Sequence, residues 1–172
     1  MDPLSWFTGP YVPLALAGLV LIDGGTTIAA TWSVAQWPAI QLLALALCIA
    51  APLTVHWMAR PLRRAVSWGG GAGALALSVA GVVCSAIGYG AVTFPLDLWW
   101  APIALGLAIV SLGPHLPGRV LLALGVGSTV LVVAVTYTIV HLASAWGPVA
   151  TAVIIATPPT LCLAAMITFS YR

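Results

Sequence analysis

Residues 38–59 read PAIQLLALALCIAAPLTVHWMA, residues 60–64 read RPLRR, and residues 65–90 read AVSWGGGAGALALSVAGVVCSAIGYG. A helix crosses a bilayer with about 20 apolar residues, so two such runs are hinged here on three arginines. Pro61 cannot continue a helix cheaply, which puts the corner where the charge is. Short loops rich in Lys and Arg stay in the cytoplasm, so Arg60, Arg63 and Arg64 place this turn inside.

Outward from that hairpin, the alternation of apolar run and breaker predicts six spans, at about 12–32, 38–58, 66–92, 98–113, 120–142 and 148–170. The breaks are Gln36-Trp37-Pro38, Thr93-Phe94-Pro95-Leu96-Asp97, the Gly113–Arg119 stretch and Trp146-Gly147-Pro148. With six spans, Arg60, Arg63, Arg64, Arg119 and Arg172 share one side and Asp97 takes the other. Losing or adding a span between these loops puts arginines on both faces. The expected fold is an all-α integral membrane protein, a bundle of about six transmembrane helices with both ends inside (N-in/C-in). It forms a single transmembrane domain over residues 1–172.

Composition agrees. Of the 172 residues 62% are apolar and 5% charged, with no Lys and no Glu; soluble domains run near 25% charged. Six spans leave no stretch of even about 40 residues for a soluble domain, which excludes a nucleotide- or DNA-binding module. The partner so implied is the lipid bilayer, with no nucleic acid. The Ala-, Val- and Leu-rich, Lys-free usage points to a GC-rich bacterium and a multi-pass protein of the bacterial cytoplasmic membrane. Met1-Asp2-Pro3 offers no basic n-region, so the first span is expected to be retained.

The eight tryptophans are expected near the membrane–water boundaries, where an indole buries its ring and keeps its N–H wet. Trp32, Trp37, Trp99, Trp100 and Trp146 fall to the outer belt, and Trp6, Trp57 and Trp68 to the inner one. In span three, Gly69, Gly73, Ala76, Ala80, Cys84 and Gly88 recur on one helical face. Small residues let backbones approach closely, and in lipid such packing replaces the hydrophobic drive. The default partner for this face is another span of the same bundle; the alternative is a second protein or self-association.

Asp23, in Leu21-Ile22-Asp23-Gly24-Gly25-Thr26-Thr27, is the one ionisable residue expected deep in the membrane. A charge there costs about 2.5–3.5 kcal/mol on insertion scales, so such residues usually serve a purpose. At about 1.5 Å of rise per residue, Thr157 and Thr160, beside Pro158-Pro159, reach a similar depth. Asp23, Thr26, Thr27, Thr157 and Thr160, with carbonyls freed by the prolines, form the candidate intramembrane polar site for a proton, a small cation or a polar solute. Two other readings stand beside it. Asp23 is protonated and bonded to a threonine one turn away, or span one is shifted to about 4–22 and Asp23-Gly24-Gly25 is an outer turn.

Reaction signatures are missing. There is no HExxH, no GxSxG and no acidic cluster, and a chain with three Asp and no Glu has few actors for acid–base chemistry. His56 and His141 are expected at opposite ends of the bundle, too far apart to share a metal or haem. Cys48, Cys84 and Cys162 fall inside spans as small core residues. No catalytic residue, metal or cofactor is expected.

The layout resembles the N-terminal membrane region of actinobacterial histidine kinases. The likeness lies in Trp- and Ala-rich, short-looped spans, in Leu112-Gly113-Pro114-His115-Leu116-Pro117-Gly118-Arg119 and in the closing Phe169-Ser170-Tyr171-Arg172. That family carries its phosphorylated histidine and ATP-binding domain after the last span, where this sequence ends, so no catalytic residue carries over. The resemblance implies a membrane sensor region alone. The leading expectation is a non-catalytic sensor or anchor acting through a partner or a missing output domain. The alternatives are a small transporter or channel subunit using Asp23, and an accessory subunit of a larger complex.

Overall fold

The computed structural model describes residues 11–59, 66–90, 99–140 and 148–170. Its elements are α1 (Val12–Thr31), α2 (Pro38–Ala59), α3 (Trp68–Tyr89), α4 (Ala101–Leu112), α5 (Gly118–Val140) and α6 (Pro148–Ser170). No strand occurs among the described residues. The helices lie where the apolar runs predict them, but among the described residues five, not six, are long and apolar enough to cross a membrane. The exception is α4: 12 residues make a helix about 18 Å long against a hydrocarbon core of about 30 Å.

Local chemistry sets the ends. Proline opens α2 and α6 and lies in the first turn of α1 and α4, positions where its missing N–H is not needed. Ser67 caps α3 by accepting a hydrogen bond from the Gly70 N–H at 3.1 Å. Gly90 closes α3 at φ +75°, its N–H donating to the Ala86 and Ile87 carbonyls; a left-handed residue favours glycine. After α4, the Gly113 N–H closes on Ile109 and Val110, and Pro114 ends the helix.

The helices alternate in direction. α2 and α3 pair antiparallel through glycine. A Cβ on Gly81 would lie 2.5 Å from Cys48 Sγ and 2.9 Å from the Ala44 carbonyl oxygen, and one on Gly88 would lie 2.8 Å from Gln41 Nε2. Gly71, near the start of α3, is covered by Leu112 and Leu116, which lead into α5. α3 and α5 therefore begin at the same end of the bundle. The head of α4 lies at the other end, where the Trp99 indole donates to Ser85 near the close of α3.

Short α4 is the axis of the bundle. It packs against α1, α2, α3 and α6, while α1–α2, α2–α3, α3–α5 and α5–α6 contacts run in an arc around it. Leu105, Ile109 and Leu112 are fully buried there. Gly106 lets α6 in: a Cβ would sit 3.2 Å from the Pro158 carbonyl oxygen and 2.8 Å from Cys162 Sγ.

The tryptophans divide. Trp32, Trp37, Trp57 and Trp68 are exposed at helix ends, as a belt requires. Trp99 and Trp100 are 5% and 2% exposed, which corrects the expectation that they sit in the outer belt. They head the central helix, and its position in the arc encloses them. Trp6, Trp146, His141, Asp97 and all the arginines except Arg119 lie outside the described residues.

Candidate functional site

Asp23 sits inside α1, about 16 Å from the Val12 end and about 12 Å from the Thr31 end at the rise of an α-helix. The helix continues two turns past it, so residues 23–25 are not a turn closing a shorter span. Gly24 beside it is buried, with no room for a Cβ against Leu45 and Trp100. Asp23 itself is exposed on the outer surface of α1. Its carboxylate makes no hydrogen bond or ion pair with a described residue. Thr26, one turn on, turns its hydroxyl back to the Ile22 and Asp23 carbonyls at 2.8 and 3.0 Å. It bonds backbone rather than the acid.

The other half of the expected site lies elsewhere. Thr157 donates to the Val153 carbonyl at 2.6 Å, and Thr160 to the Ala156 and Thr157 carbonyls at 2.8 and 3.0 Å. Both are exposed on α6. α6 runs through Pro158-Pro159 without a break. Its packing partners are α4 and α5, whereas those of α1 are α2 and α4. The bundle thus does not gather Asp23, Thr26 and Thr27 with Thr157 and Thr160 around one cavity.

The polar cluster it does gather was not expected. Gln41 is fully buried. Its Nε2 donates to the Ser85 carbonyl at 2.8 Å, and its Oε1 accepts from the Ser85 hydroxyl at 3.0 Å. Trp99 Nε1 donates to the same hydroxyl at 3.1 Å. One turn on, Tyr89 and Thr31 share a hydroxyl–hydroxyl bond at 2.9 Å, and the Trp37 N–H donates to the Gly88 carbonyl at 2.9 Å. This clamp ties α1, α2, α3 and the head of α4 at one end. An amide in a lipid-crossing helix needs an internal partner, so the signal was present in Gln41, the lone amide side chain inside a span. Ser78 Oγ and Trp100 Nε1 are buried without hydrogen-bond partners among the described residues.

Comparison with family models, curated proteins and solved structures returned no match. The site therefore rests on its own geometry.

The small-residue stripe of α3 points mostly outward. Gly69, Gly73, Ala76 and Ala80 are exposed, Cys84 is half-buried, and Gly88 alone is buried. The face that meets the bundle is the neighbouring one, with Gly71, Ala74, Ser78, Gly81 and Ser85 buried. Part of the outer stripe lines an apolar groove of about 520 Å³, from Ala76, Ala80 and Cys84 on α3 across to Ala123 and Gly127 on α5. The grooves between α5 and α6 are likewise apolar, floored by Val133, Ala134 and Ala156.

Outside the spans, His115 stands in the α4–α5 connection, half-buried, and that burial holds its imidazole below the ordinary value of 6.5. Among the described residues no three of His, Cys, Asp and Glu converge.

Proposed function

We propose that the chain is a six-crossing membrane module, both ends cytoplasmic, that performs no chemistry and acts as a sensor or anchor through partner helices. The observation that carries this reading is the polarity of the bundle. Its centre is closed by Leu105, Ile109 and Leu112 of α4, while the one acid within a described helix, Asp23, faces outward. A carrier of protons or cations keeps its intramembrane acid toward the bundle interior or a water-filled path. An outward acid serves contact with something else in the membrane.

Two observations support the sixth crossing. α3 and α5 begin at the same end, so the chain must return between them. The stretch from Trp99 to Leu116 makes that return beside Ser85 to Gly71, a depth of about 21 Å. The arginine loops orient it by the positive-inside rule. Composition supports a bacterial cytoplasmic membrane, and the layout resemblance to histidine kinase membrane regions supports the sensor form.

The test is a flux assay in proteoliposomes for protons, Na⁺ and K⁺. The expected rates equal those of protein-free vesicles, with and without Asp23→Asn. A flux above background that Asp23→Asn abolishes overturns the reading in favour of transport. Detergent extraction from native membranes with intact-mass measurement is expected to return a longer chain or a stoichiometric soluble partner.

A further inference from the structure

We infer that the outer face of α1 centred on Asp23 docks a membrane-spanning helix of another protein that carries a Lys or Arg at mid-depth. This deepens the partner-dependent reading above and rests on it. Ala15, Leu19, Asp23, Thr26 and Ala30 are all exposed and recur at three- and four-residue spacing, which aligns them along one side of α1. The stripe is continuous for the length of the helix, with small residues near both ends and the acid in the middle. A second helix can therefore lie along it at close range.

Charge complementarity sets the occupant. The Asp23 carboxylate has no partner among the described residues, and lipid cannot solvate it. Nor does a described residue of this chain supply the cation. The chain contains no Lys, and its five arginines are Arg60, Arg63, Arg64, Arg119 and Arg172. Arg119, the one arginine among the described residues, is the second residue of α5 and stands at that helix's end, away from the middle of α1. A second copy of the chain brings the same inventory, so the mate is a different protein. The Thr26 hydroxyl is already committed to backbone, which leaves the carboxylate as the group that recognises the partner.

The experiment reconstitutes the full chain, fluorescently labelled, in phosphatidylcholine bilayers with synthetic Leu/Ala transmembrane peptides. One peptide carries a central Lys, one a central Leu, and one a Lys near its end. Association is read by energy transfer. The central-Lys peptide is expected to bind about tenfold more tightly than the other two. Asp23→Asn removes that preference and Asp23→Glu keeps it, with circular dichroism reporting that both variants fold. Equal binding of the three peptides, or a preference that survives Asp23→Asn, overturns the proposal. Either result with no ion flux leaves the partner-dependent reading standing, whereas Asp23-dependent flux sinks both.

Discussion

At the scale of single residues, the polar side chains in the helices do two different things. Threonines and serines such as Thr54, Thr136 and Thr160 return their hydroxyls to carbonyls one turn back and are satisfied within their own helix. Gln41 cannot be, because its amide reaches across to Ser85. Replacing it with leucine removes both interhelical bonds and leaves the Ser85 carbonyl and hydroxyl with fewer partners. Interhelical hydrogen bonds in membranes are each worth about 0.6 kcal/mol and at most about 1.7. Ser85→Ala removes the hydroxyl bond and keeps the carbonyl one, so a double-mutant cycle of Gln41→Leu and Ser85→Ala, read by thermal unfolding in detergent, is expected to give a coupling of about 0.6 kcal/mol and at most about 1.7. Additive losses would show that the pair is not a clamp. Asp23 was legible from sequence as an acid inside an apolar helix. Which side of α1 it takes was not, because α1 is apolar nearly all round and carries no pattern to say which face is buried.

At the scale of elements, α3 is the helix whose sequence is most ambiguous, since glycine and alanine crowd two of its faces. The face that matters is the one where a Cβ has no room. Gly81→Val is expected to force α2 and α3 apart, because the clash involves the Ala44 carbonyl and Cys48 amide as well as a side chain. The loss is about 1–3 kcal/mol. Gly73→Ala, with nothing within 4 Å, is expected to be neutral or slightly stabilising through helix propensity. Thermal midpoints of the two variants check this, and equal shifts would refute the assignment of faces. The α4–α5 connection adds a pH dependence. Burial lowers the His115 pKa below 6.5, so folding favours the neutral imidazole. That contribution is fully present above pH 6.5 and is lost as pH falls through the folded-state value. The unfolding midpoint is expected to drop between pH 7.5 and 5.5, and the drop to shrink in His115→Gln. An unchanged drop would assign it to another group.

At the scale of the whole molecule, the decisive feature is that a helix too short to span alone sits at the centre of the arc. A buried helix needs length only to match its neighbours, and protein rather than lipid surrounds its ends. α4 can therefore cross with 12 helical residues plus flanking segments. Labelling with a membrane-impermeant thiol reagent separates six crossings from five. In a Cys84→Ala, Cys162→Ala background, Ser33→Cys in the α1–α2 connection is expected to react from outside intact cells. Pro117→Cys in the α4–α5 connection is expected to react only after permeabilisation. Reaction of both from outside would make α4 a re-entrant segment.

Taken alone, the sequence determined the apolar character, the helices and, among the described residues, the corners at 36–38 and 113–119. Each follows from composition within a window of about 20 residues, whether an apolar run or a proline. Tertiary structure alone decided that Trp99 and Trp100 are core rather than belt, that Gln41 closes on Ser85, that Asp23 faces out, and that Thr157 and Thr160 stand apart from it. These depend on which faces of near-uniformly apolar helices meet. In lipid, hydrophobicity does not mark a buried face, so close packing and hydrogen bonds between distant segments choose it.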